Sequence, residues 1–437
     1  MLDFIQPFSG CFKGKKYDSA FPPPAFFPNS RSCIPFAKFV SDTIRSRIVS
    51  GAFSIWGRVG HVKPPYIVSP LTVEPNKPRL CLDLRYLNKW MKDCPFTLDS
   101  ILNVTRYVGR HHFQTVCDDK SGYDHLLIPE SSKPLVGFQW GNWLYVANTI
   151  AFGWRCSAFV YQKVGLVAMH DIRSLGVPAS LYIDDRHAGQ LQCRKVTQWS
   201  FYELAQAACF ILCSVVIQLG YTTGLSKSQL EPVVMPIFLG MGIDSVMLAF
   251  RLLTHKKESF AQLRDYSLSR EEVPVSLLQK LTGKIASFMI AVPAARMFCR
   301  EMYKEIGEAG KTGKMVRIEG DVRKEIEHWK FLDTWEGHMP WKPEKHEVIH
   351  LSTDASSYRW AGVIDLDKGT IQCGDYWDEE DSIEHISIKE TEALTRTLLS
   401  VQDTVRDKRI DARVDNQNLI QAWQRQEAKS KALNQAI

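Results

Sequence analysis

The spacing of apolar residues predicts strands in the first part of the chain and helices after Pro274. Residues 79–85 alternate as a half-buried strand does, and residues 126–129 are expected to form a short strand. Two apolar runs, 135–140 and 143–147, are joined by the turn dipeptide Gly141-Asn142. After Pro274, apolar residues recur at helical spacing: Leu277, Leu278, Leu281, Ile285 and Phe288. Strands return over 348–373, and a helix follows over 386–399. The pattern predicts an α+β chain of several domains.

Two adjacent carboxylates stand at the centre of this pattern. Residues 181–186 lead from an apolar strand into Asp184 and Asp185, which a β-hairpin would place at its turn. Neighbouring carboxylates repel each other, and proteins tolerate the repulsion where a divalent cation lies between them. A solvated Asp-Asp turn is the common alternative. The pair therefore indicates a metal site only if another carboxylate joins it.

Asp118 is the candidate for that third carboxylate. It ends a short apolar strand, and the order strand, helix, hairpin, helix, strand predicts that it lies beside the hairpin in one sheet. Asp118, Asp184 and Asp185 would then hold two Mg²⁺ ions, or Mn²⁺, because hard oxygen ligands and substrate phosphates suit these ions. One ion would activate an attacking 3′ hydroxyl, and the other would stabilise the leaving pyrophosphate.

Composition adds few constraints. The chain has 437 residues, 45% of them hydrophobic and 23% charged, and its net charge of +6 is compatible with a polyanionic partner. Its 11 cysteines show no regular spacing, which favours a reducing, intracellular compartment, cytoplasmic or nuclear. The N-terminus lacks a secretory signal. The most apolar stretch, 204–220, is short and contains Gln206 and Gln218, so we expect a buried helix and no membrane partner.

Six motifs, in order, resemble those of a retrotransposon reverse transcriptase of the gypsy-like group, with wording closest to DIRS-type elements. They cover residues 79–89, 118–123, 152–162, 182–185, 224–227 and 238–240. The resemblance implies a right-hand polymerase fold of fingers, palm and thumb. It also implies RNA-directed DNA polymerase activity, with an RNA template, a DNA primer and deoxynucleoside triphosphates.

The resemblance assigns roles within the palm. The family's aromatic nucleotide gate follows the catalytic aspartate by five residues, which matches Tyr123 and selects Asp118 over Asp119. Tyr123 would lie under the incoming sugar and clash with a 2′ hydroxyl. Neighbours on a strand face opposite sides, so we expect Asp119 to be structural or solvated.

Five further residues are candidates for contact with the nucleotide or its leaving group. Phe152 and Gly153 open the motif that resembles the template-and-nucleotide helix. Arg79 could grip the triphosphate, or be a surface strand arginine, and Lys77 has the same two alternatives. Lys227 could protonate the leaving pyrophosphate, or be a solvated loop lysine.

The last part of the chain resembles ribonuclease H, which hydrolyses the RNA strand of an RNA–DNA hybrid. Asp354 lies on a strand, Glu390 on a helix and Asp415 at the end of another strand, as in the Asp-Glu-Asp cluster that holds two Mg²⁺ in that family. The family's last strand, final helix and fourth carboxylate are absent before residue 437. We therefore expect an incomplete ribonuclease H-like α/β domain. Either the sequence is a fragment, or the ribonuclease H of this element is impaired.

These observations predict four regions. They are an irregular N-terminal arm (1–35), fingers and palm (36–255), thumb and connection helices (256–345) and the ribonuclease H-like domain (346–437). A basic helix over 294–306, with Arg296, Arg300 and Lys304, resembles the thumb, although alone it would be a solvated face. The alternative function is an inactive relic that binds nucleic acid.

Overall fold

The computed structural model describes the chain except residues 9, 13–14, 17–18, 77, 194–197, 293–294, 296, 313–314, 342–346, 367–368, 380, 407 and 426–437. Its contacts divide the chain into two compact units, Met1–Leu239 and Gly240–Ile437. The predicted roles of Lys77 and Arg296 fall on residues outside the described part of the chain. The predicted four-region division stays a prediction.

The first unit contains a mixed five-stranded sheet and a separate two-stranded hairpin. In spatial order, the strands of the larger sheet are Ala25–Phe26, Ile67–Val68, Gly137–Trp140, Trp143–Ala147 and Phe53–Arg58. The first three are parallel neighbours and the last three are antiparallel. The hairpin pairs Leu71–Glu74 with Arg79–Leu82. A strand from the N-terminal arm thus completes the sheet, so the arm is not wholly irregular.

A second sheet of four antiparallel strands, here called the palm sheet, carries the candidate carboxylates. Its strands, in spatial order, are Ala179–Tyr182, Asp185–Ala188, Gln114–Asp118 and Gln229–Val233. Every residue of Gln114–Asp118 is buried, because the strand lies inside the sheet and is covered by a helix. The remaining strands of this unit are Cys11–Phe12, Lys15–Lys16 and Ile237–Phe238.

Helices cover the palm sheet on its apolar side. The α-helices of the first unit are Ala37–Val49, Arg85–Asn88, Ser157–Ser174 and Phe201–Gln218. Its 3-10 helices are Leu2–Phe4, Arg31–Cys33, Ile101–Arg106, Gly122–His125 and Glu130–Val136. Ser200 and Glu203 form a capping box that begins the helix Phe201–Gln218. By length and composition this helix could cross a membrane, and about a third of it is buried. Its residues Ala208, Leu212 and Val216 pack in the core of the first unit.

The second unit begins with a helical region. Its α-helices are Thr254–Leu268, Val275–Phe288, Arg300–Thr312 and Gly320–His328, with 3-10 helices Met297–Cys299 and Trp329–Asp333. The strands Met241–Asp244, Ala249–Arg251 and Met339–Pro340 are antiparallel, as are Glu272–Val273 and Val316–Arg317. Leu278, Leu281, Ile285 and Phe288 are buried on one face of Val275–Phe288, which confirms the helical spacing seen in the sequence.

A four-stranded sheet with helices on one side follows in the second unit. Its strands, in spatial order, are Gly369–Tyr376, Arg359–Leu366, Val348–Ala355 and Arg409–Arg413. The last two are parallel and the others antiparallel. The helices are Ile386–Ser400, Gln402–Val405 and Gln417–Arg425, with a 3-10 helix Asp381–Ile383. Ile386–Ser400 packs on the two central strands.

Two predicted strands differ from the structure. Residues 126–129 form no strand and make one isolated bridge, Leu127 to Thr149, because a 3-10 helix begins directly after Pro129. The predicted strand 135–140 begins two residues late, at Gly137, for the same reason. Pro134 inside that 3-10 helix lacks the N–H that a strand ladder needs.

Candidate active site

The palm sheet brings the three predicted aspartates to one edge. Asp118 is the last residue of its strand and Asp185 is the first residue of the neighbouring strand, and the two are direct cross-strand partners. Asp184 lies in the hairpin turn, and its carbonyl accepts the backbone N–H of Asp119 at 3.0 Å. Side chains of cross-strand partners lie on the same face of a sheet, so Asp118 and Asp185 face the same side.

The hairpin turn is held by one buried glutamine. Ile183 has a positive φ of 57°, a conformation that β-branched residues rarely adopt. Its N–H donates to Oε1 of Gln162 at 2.9 Å, and Nε2 of the same side chain donates to the carbonyl of Leu181 at 3.3 Å. Gln162 is buried in the helix Ser157–Ser174. This clamp fixes the turn that presents Asp184.

Asp118 is supported from the loop after residue 223. Its N–H donates to Oγ of Ser228 at 3.0 Å, and a Cβ on Gly224 would lie 2.6 Å from Oδ2 of Asp118. Lys227, whose side chain is 72% exposed, places Nζ 3.6 Å from Oδ1 of Asp118. Lys227 is therefore the ion-pair partner of Asp118. The sequence motif 224–227 pointed to this loop, but not to the contacts of Gly224 and Ser228.

The electrostatics of the cluster favour an added positive charge. Burial, together with the negative charges of Asp184 and Asp118, raises the pKa of Asp185 to about 6. Burial also raises the pKa of Asp118, with Asp184 acting in the same direction and Lys227 opposing it. Both pKa values rise because several carboxylates lie close together at a partly buried edge of the palm sheet, and Lys227 offsets only part of their negative charge.

The donor set suits a hard divalent cation. Three carboxylates at one sheet edge offer the oxygen ligands that Mg²⁺ and Mn²⁺ take. Among the described residues, no three His, Cys, Asp or Glu side chains are spaced closely enough to hold a metal ion as they stand. Bound cations would offset the repulsion among the three carboxylates.

Asp119 lies on the opposite face of the palm sheet, as strand alternation predicts. It is 3% exposed and forms an ion pair with Arg186, which is fully buried. Tyr161 also donates a hydrogen bond to it. Asp119 is therefore structural, and the solvated alternative is wrong. Nothing in the local sequence identified Arg186 as its partner, because the pairing is made across two strands.

Tyr123 lies beside Phe152 and Gly153, which were also predicted to contact the nucleotide. Its ring is half-buried in the 3-10 helix Gly122–His125, 4.7 Å from the exposed ring of Phe152 by centroids. Gly153 has φ of 95°, and a Cβ there would lie 3.0 Å from the carbonyl of Leu82. The Gly153 carbonyl accepts from Nδ2 of Asn88 at 2.7 Å. Tyr123, Phe152 and Gly153 are thus brought together.

Arg79 lies apart from this cluster. It is exposed at the start of the strand Arg79–Leu82, opposite Glu74 on Leu71–Glu74. In the described part of the chain, no hydrogen bond or ion pair joins Arg79 to the palm carboxylates. Its contact with a triphosphate stays a prediction.

The second unit holds the other predicted carboxylates. Asp354 lies on the strand Val348–Ala355, Glu390 on the helix Ile386–Ser400, and Asp415 two residues beyond Arg409–Arg413. Burial raises the pKa of Glu390, and the charges of Asp415 and Asp354 raise it further, while a hydrogen bond from Asn416 opposes them. Oε2 of Glu390 is buried with no partner among the described residues. An orphaned carboxylate oxygen of this kind suits a cation.

A basic groove lies between two helices of the second unit. The helices Thr254–Leu268 and Val275–Phe288 enclose a volume of about 610 Å³. Lys280 and Lys284 line it with polar neighbours, and Nζ of Lys284 donates to Oγ of Ser259 at 2.8 Å. Gly283, between the lysines, has open space where a side chain would stand. The groove therefore offers positive charge at an open surface.

Sequence comparison finds one curated relative over part of the chain. No protein-family model matches the chain. Over 131 residues the chain is 27% identical to the retrovirus-related Pol polyprotein from transposon 412 of Drosophila melanogaster, a match that covers 29% of this chain and 10% of that protein. The chain therefore spans about a tenth of the length of this curated relative.

Solved structures match nearly the whole chain. The foamy viral protease-reverse transcriptase dRH in complex with double-stranded DNA matches with a TM-score of 0.60 and 15% identity, covering 95% of this chain and 68% of that one. The foamy viral protease-reverse transcriptase in complex with an RNA/DNA hybrid matches with a TM-score of 0.59 and 15% identity, covering 95% and 53%. At this identity the likeness shows the fold.

The fold is that of a reverse transcriptase, and this confirms the predicted right-hand polymerase followed by a ribonuclease H-like domain. In sequence the chain is similar to a retroelement Pol polyprotein, as its motifs predicted. Its placement in the gypsy-like or DIRS-type group stays a prediction.

Proposed function

We propose that this chain is an RNA-directed DNA polymerase of a retroelement, acting by two-metal nucleotidyl transfer onto a primer 3′ end. The observation that carries the proposal is the cross-strand pairing of Asp118 with Asp185 beside Asp184 in the hairpin turn. A polymerase needs carboxylates grouped in this way because they hold the cations, and the cations then bind the phosphates of the nucleotide.

Asp118, Asp184 and Asp185 would hold Mg²⁺ or Mn²⁺, which would supply the activation of the primer hydroxyl and the neutralisation of the triphosphate. Tyr123 and Phe152 would bound the sugar of the incoming deoxynucleotide. The ring of Tyr123, packed against Phe152 and Tyr161, would leave little room for a 2′ hydroxyl. Arg79 would meet the nucleotide from the hairpin Leu71–Glu74 and Arg79–Leu82, and Gly153 would meet it from its own loop. Lys77 is a further proposed contact.

The proposed partners are an RNA template, a DNA primer and their hybrid duplex inside the cell. The groove with Lys280 and Lys284 supports a duplex contact, since lysines at an open surface bind backbone phosphates. The solved relatives bind double-stranded DNA or an RNA/DNA hybrid, which favours the same partners here.

Hydrolysis of the RNA strand is the proposed second activity, and it rests on Asp354, Glu390 and Asp415. The orphaned Oε2 of Glu390 between two aspartates supports a metal site there.

Primer extension on an RNA template with Mg²⁺ tests the polymerase. We expect wild-type protein to extend the primer and Asp118→Asn to lose extension while keeping its melting temperature. Asp171→Asn, an exposed acid on Ser157–Ser174, is the matched control and should extend normally. Wild-type protein that binds hybrid duplex but never extends a primer would support the relic alternative instead.

A further inference from the structure

One face of the palm sheet carries the candidate metal-binding carboxylates, and the other face carries a buried ion pair. Asp118 and Asp185 are partners on one face, while Arg186 pairs in register with Cys117 and so belongs to the other face. Asp119 follows Asp118 and also turns to that second face. Asp118 and Asp185 are therefore each followed in sequence by one member of a buried ion pair.

This ion pair is fully removed from water. The side chains of Asp119 and Arg186 are both 0% exposed, and Nη1 of Arg186 bonds Oδ1 of Asp119. Nε and Nη2 of Arg186 have no hydrogen-bond partner in the described part of the chain, and the guanidinium lies 5.0 Å over the ring of Tyr221. Well-packed apolar residues of similar volume are often as stable as such a pair or more so, so stability alone is a weak reason for it.

Tyr161 extends the pair towards the nucleotide gate. Its hydroxyl donates to Oδ2 of Asp119, the oxygen that Arg186 does not bond. Its ring meets that of Tyr123 edge-on, with centroids 5.4 Å apart. A Cβ on Gly122 would lie 3.0 Å from the same hydroxyl oxygen. One side chain thus contacts the ion pair, the gate and the residue before the gate.

We propose that Asp119, Arg186 and Tyr161 form a positioning unit that holds the two carboxylate strands in register and fixes Tyr123 against them. None of the three touches the reacting atoms. The ion pair joins the residue after Asp118 to the residue after Asp185, so a shift of either strand would break it. The sugar selectivity assigned to this unit rests on the proposed polymerase function, whereas its effect on the carboxylates does not.

The first experiment removes one hydroxyl. Tyr161→Phe keeps the ring against Tyr123 but frees Asp119 from its second partner. Tyr86→Phe is the matched control, because Tyr86 is also buried in the first unit and its hydroxyl donates to the carbonyl of Pro23 at 2.9 Å. We expect Tyr161→Phe to raise ribonucleotide incorporation relative to deoxynucleotide by about 10-fold, with a higher KM for the nucleotide, since small displacements near reacting groups have effects of this order.

The second experiment does not depend on turnover. Asp119→Asn combined with Arg186→Met removes both buried charges and leaves the net charge unchanged. Mn²⁺ binding is measured by electron paramagnetic resonance in an Asp354→Asn, Asp415→Asn background, so that only the palm carboxylates are titrated. We expect the double variant to melt as a folded protein and to bind Mn²⁺ about 10-fold more weakly, because its carboxylate strands are less firmly held.

The outcomes separate the two proposals. Wild-type protein that fails to extend primers refutes the polymerase, while the Mn²⁺ titration still decides the positioning unit. Equal sugar selectivity in Tyr161→Phe and Tyr86→Phe would overturn the link to the gate. Equal Mn²⁺ affinity with and without the ion pair, or no Mn²⁺ binding at all, would overturn the link to the carboxylates. If the double variant does not fold, the pair of tyrosine variants decides.

Discussion

The two carboxylate clusters of this chain use the same ligand chemistry in different surroundings. In the palm, Asp118 is 7% exposed, sits beside a hairpin clamp, and has a buried ion pair directly behind it. In the ribonuclease H-like sheet, Asp354 and Asp415 are exposed, and only Glu390 is partly covered. The difference teaches that carboxylates can be assigned from their order along the chain, whereas the support behind them has to be seen in three dimensions.

The largest expected difference between the two regions is in how much the free energy of unfolding falls when one arginine is replaced. Arg186→Met leaves Asp119 buried without its charge partner, and we expect a loss of about 3–5 kcal/mol. Arg396→Met in the second unit removes part-exposed pairs with Asp381 and Glu392, and the expected loss is under about 1 kcal/mol. Urea denaturation compares the two variants, and equal losses would remove the contrast drawn here.

Sugar selection sharpens the contrast, because only the palm has a nucleotide gate. Tyr123→Ala opens the space beside Phe152, and we expect the preference for deoxynucleotides over ribonucleotides to fall about 100-fold. Competitive incorporation on an RNA template measures this ratio. Tyr376→Ala, an exposed tyrosine of the second unit, is the control and should leave the ratio unchanged. A preference that survives Tyr123→Ala would mean that another residue excludes the 2′ hydroxyl.

Duplex binding tests the groove in the second unit. Lys280→Ala with Lys284→Ala should weaken binding to hybrid duplex and lower the slope of log affinity against log salt by about 2, because each lysine that neutralises a phosphate adds roughly one to that slope. Lys324→Ala, which removes an exposed lysine already paired with Asp321, should leave the slope unchanged. If both variants change the slope equally, the duplex does not use the groove.

The smallest expected effect lies at the helix of the ribonuclease H-like sheet. Because the folded protein raises the pKa of Glu390, the ionised side chain destabilises the fold at neutral pH, and this penalty fades as pH falls towards the ordinary pKa of a glutamate. Glu390→Gln should therefore raise the free energy of unfolding at pH 7, by less than about 1 kcal/mol. The increase should be smaller at pH 4.5. Thermal unfolding at both pH values checks this. If Glu390→Gln were less stable than the wild type at pH 7, the interpretation that Oε2 of Glu390 is buried without a partner would be contradicted.

Much of the fold followed from patterns along the chain. The apolar strand that ends at Asp118 and the Asp184-Asp185 turn predicted the centre of the palm sheet correctly, and the helical spacing near Leu281 predicted a later helix. The position of the Asp118 strand beside the hairpin was also expected, because consecutive elements usually neighbour each other. Boundaries were less accurate where Pro134 sits in a 3-10 helix.

The contacts behind the site could not be predicted from sequence. Arg186 looked like a residue at the end of a hairpin motif, and its pairing with Asp119 depends on the register of two strands 67 positions apart. Gln162 and Ser228 are ordinary polar residues until the hairpin turn and Asp118 come within hydrogen-bond distance. Such roles arise from long-range packing, to which no local pattern corresponds.

The central claim is that Asp184 and its partners form a metal-dependent polymerase site. Primer extension on an RNA template, comparing wild-type protein with Asp184→Asn at several Mg²⁺ concentrations, tests it most directly. We predict extension by the wild type that requires Mg²⁺ and falls at least about 1000-fold in the variant, with duplex binding unchanged. Extension by both proteins at similar rates would contradict the claim.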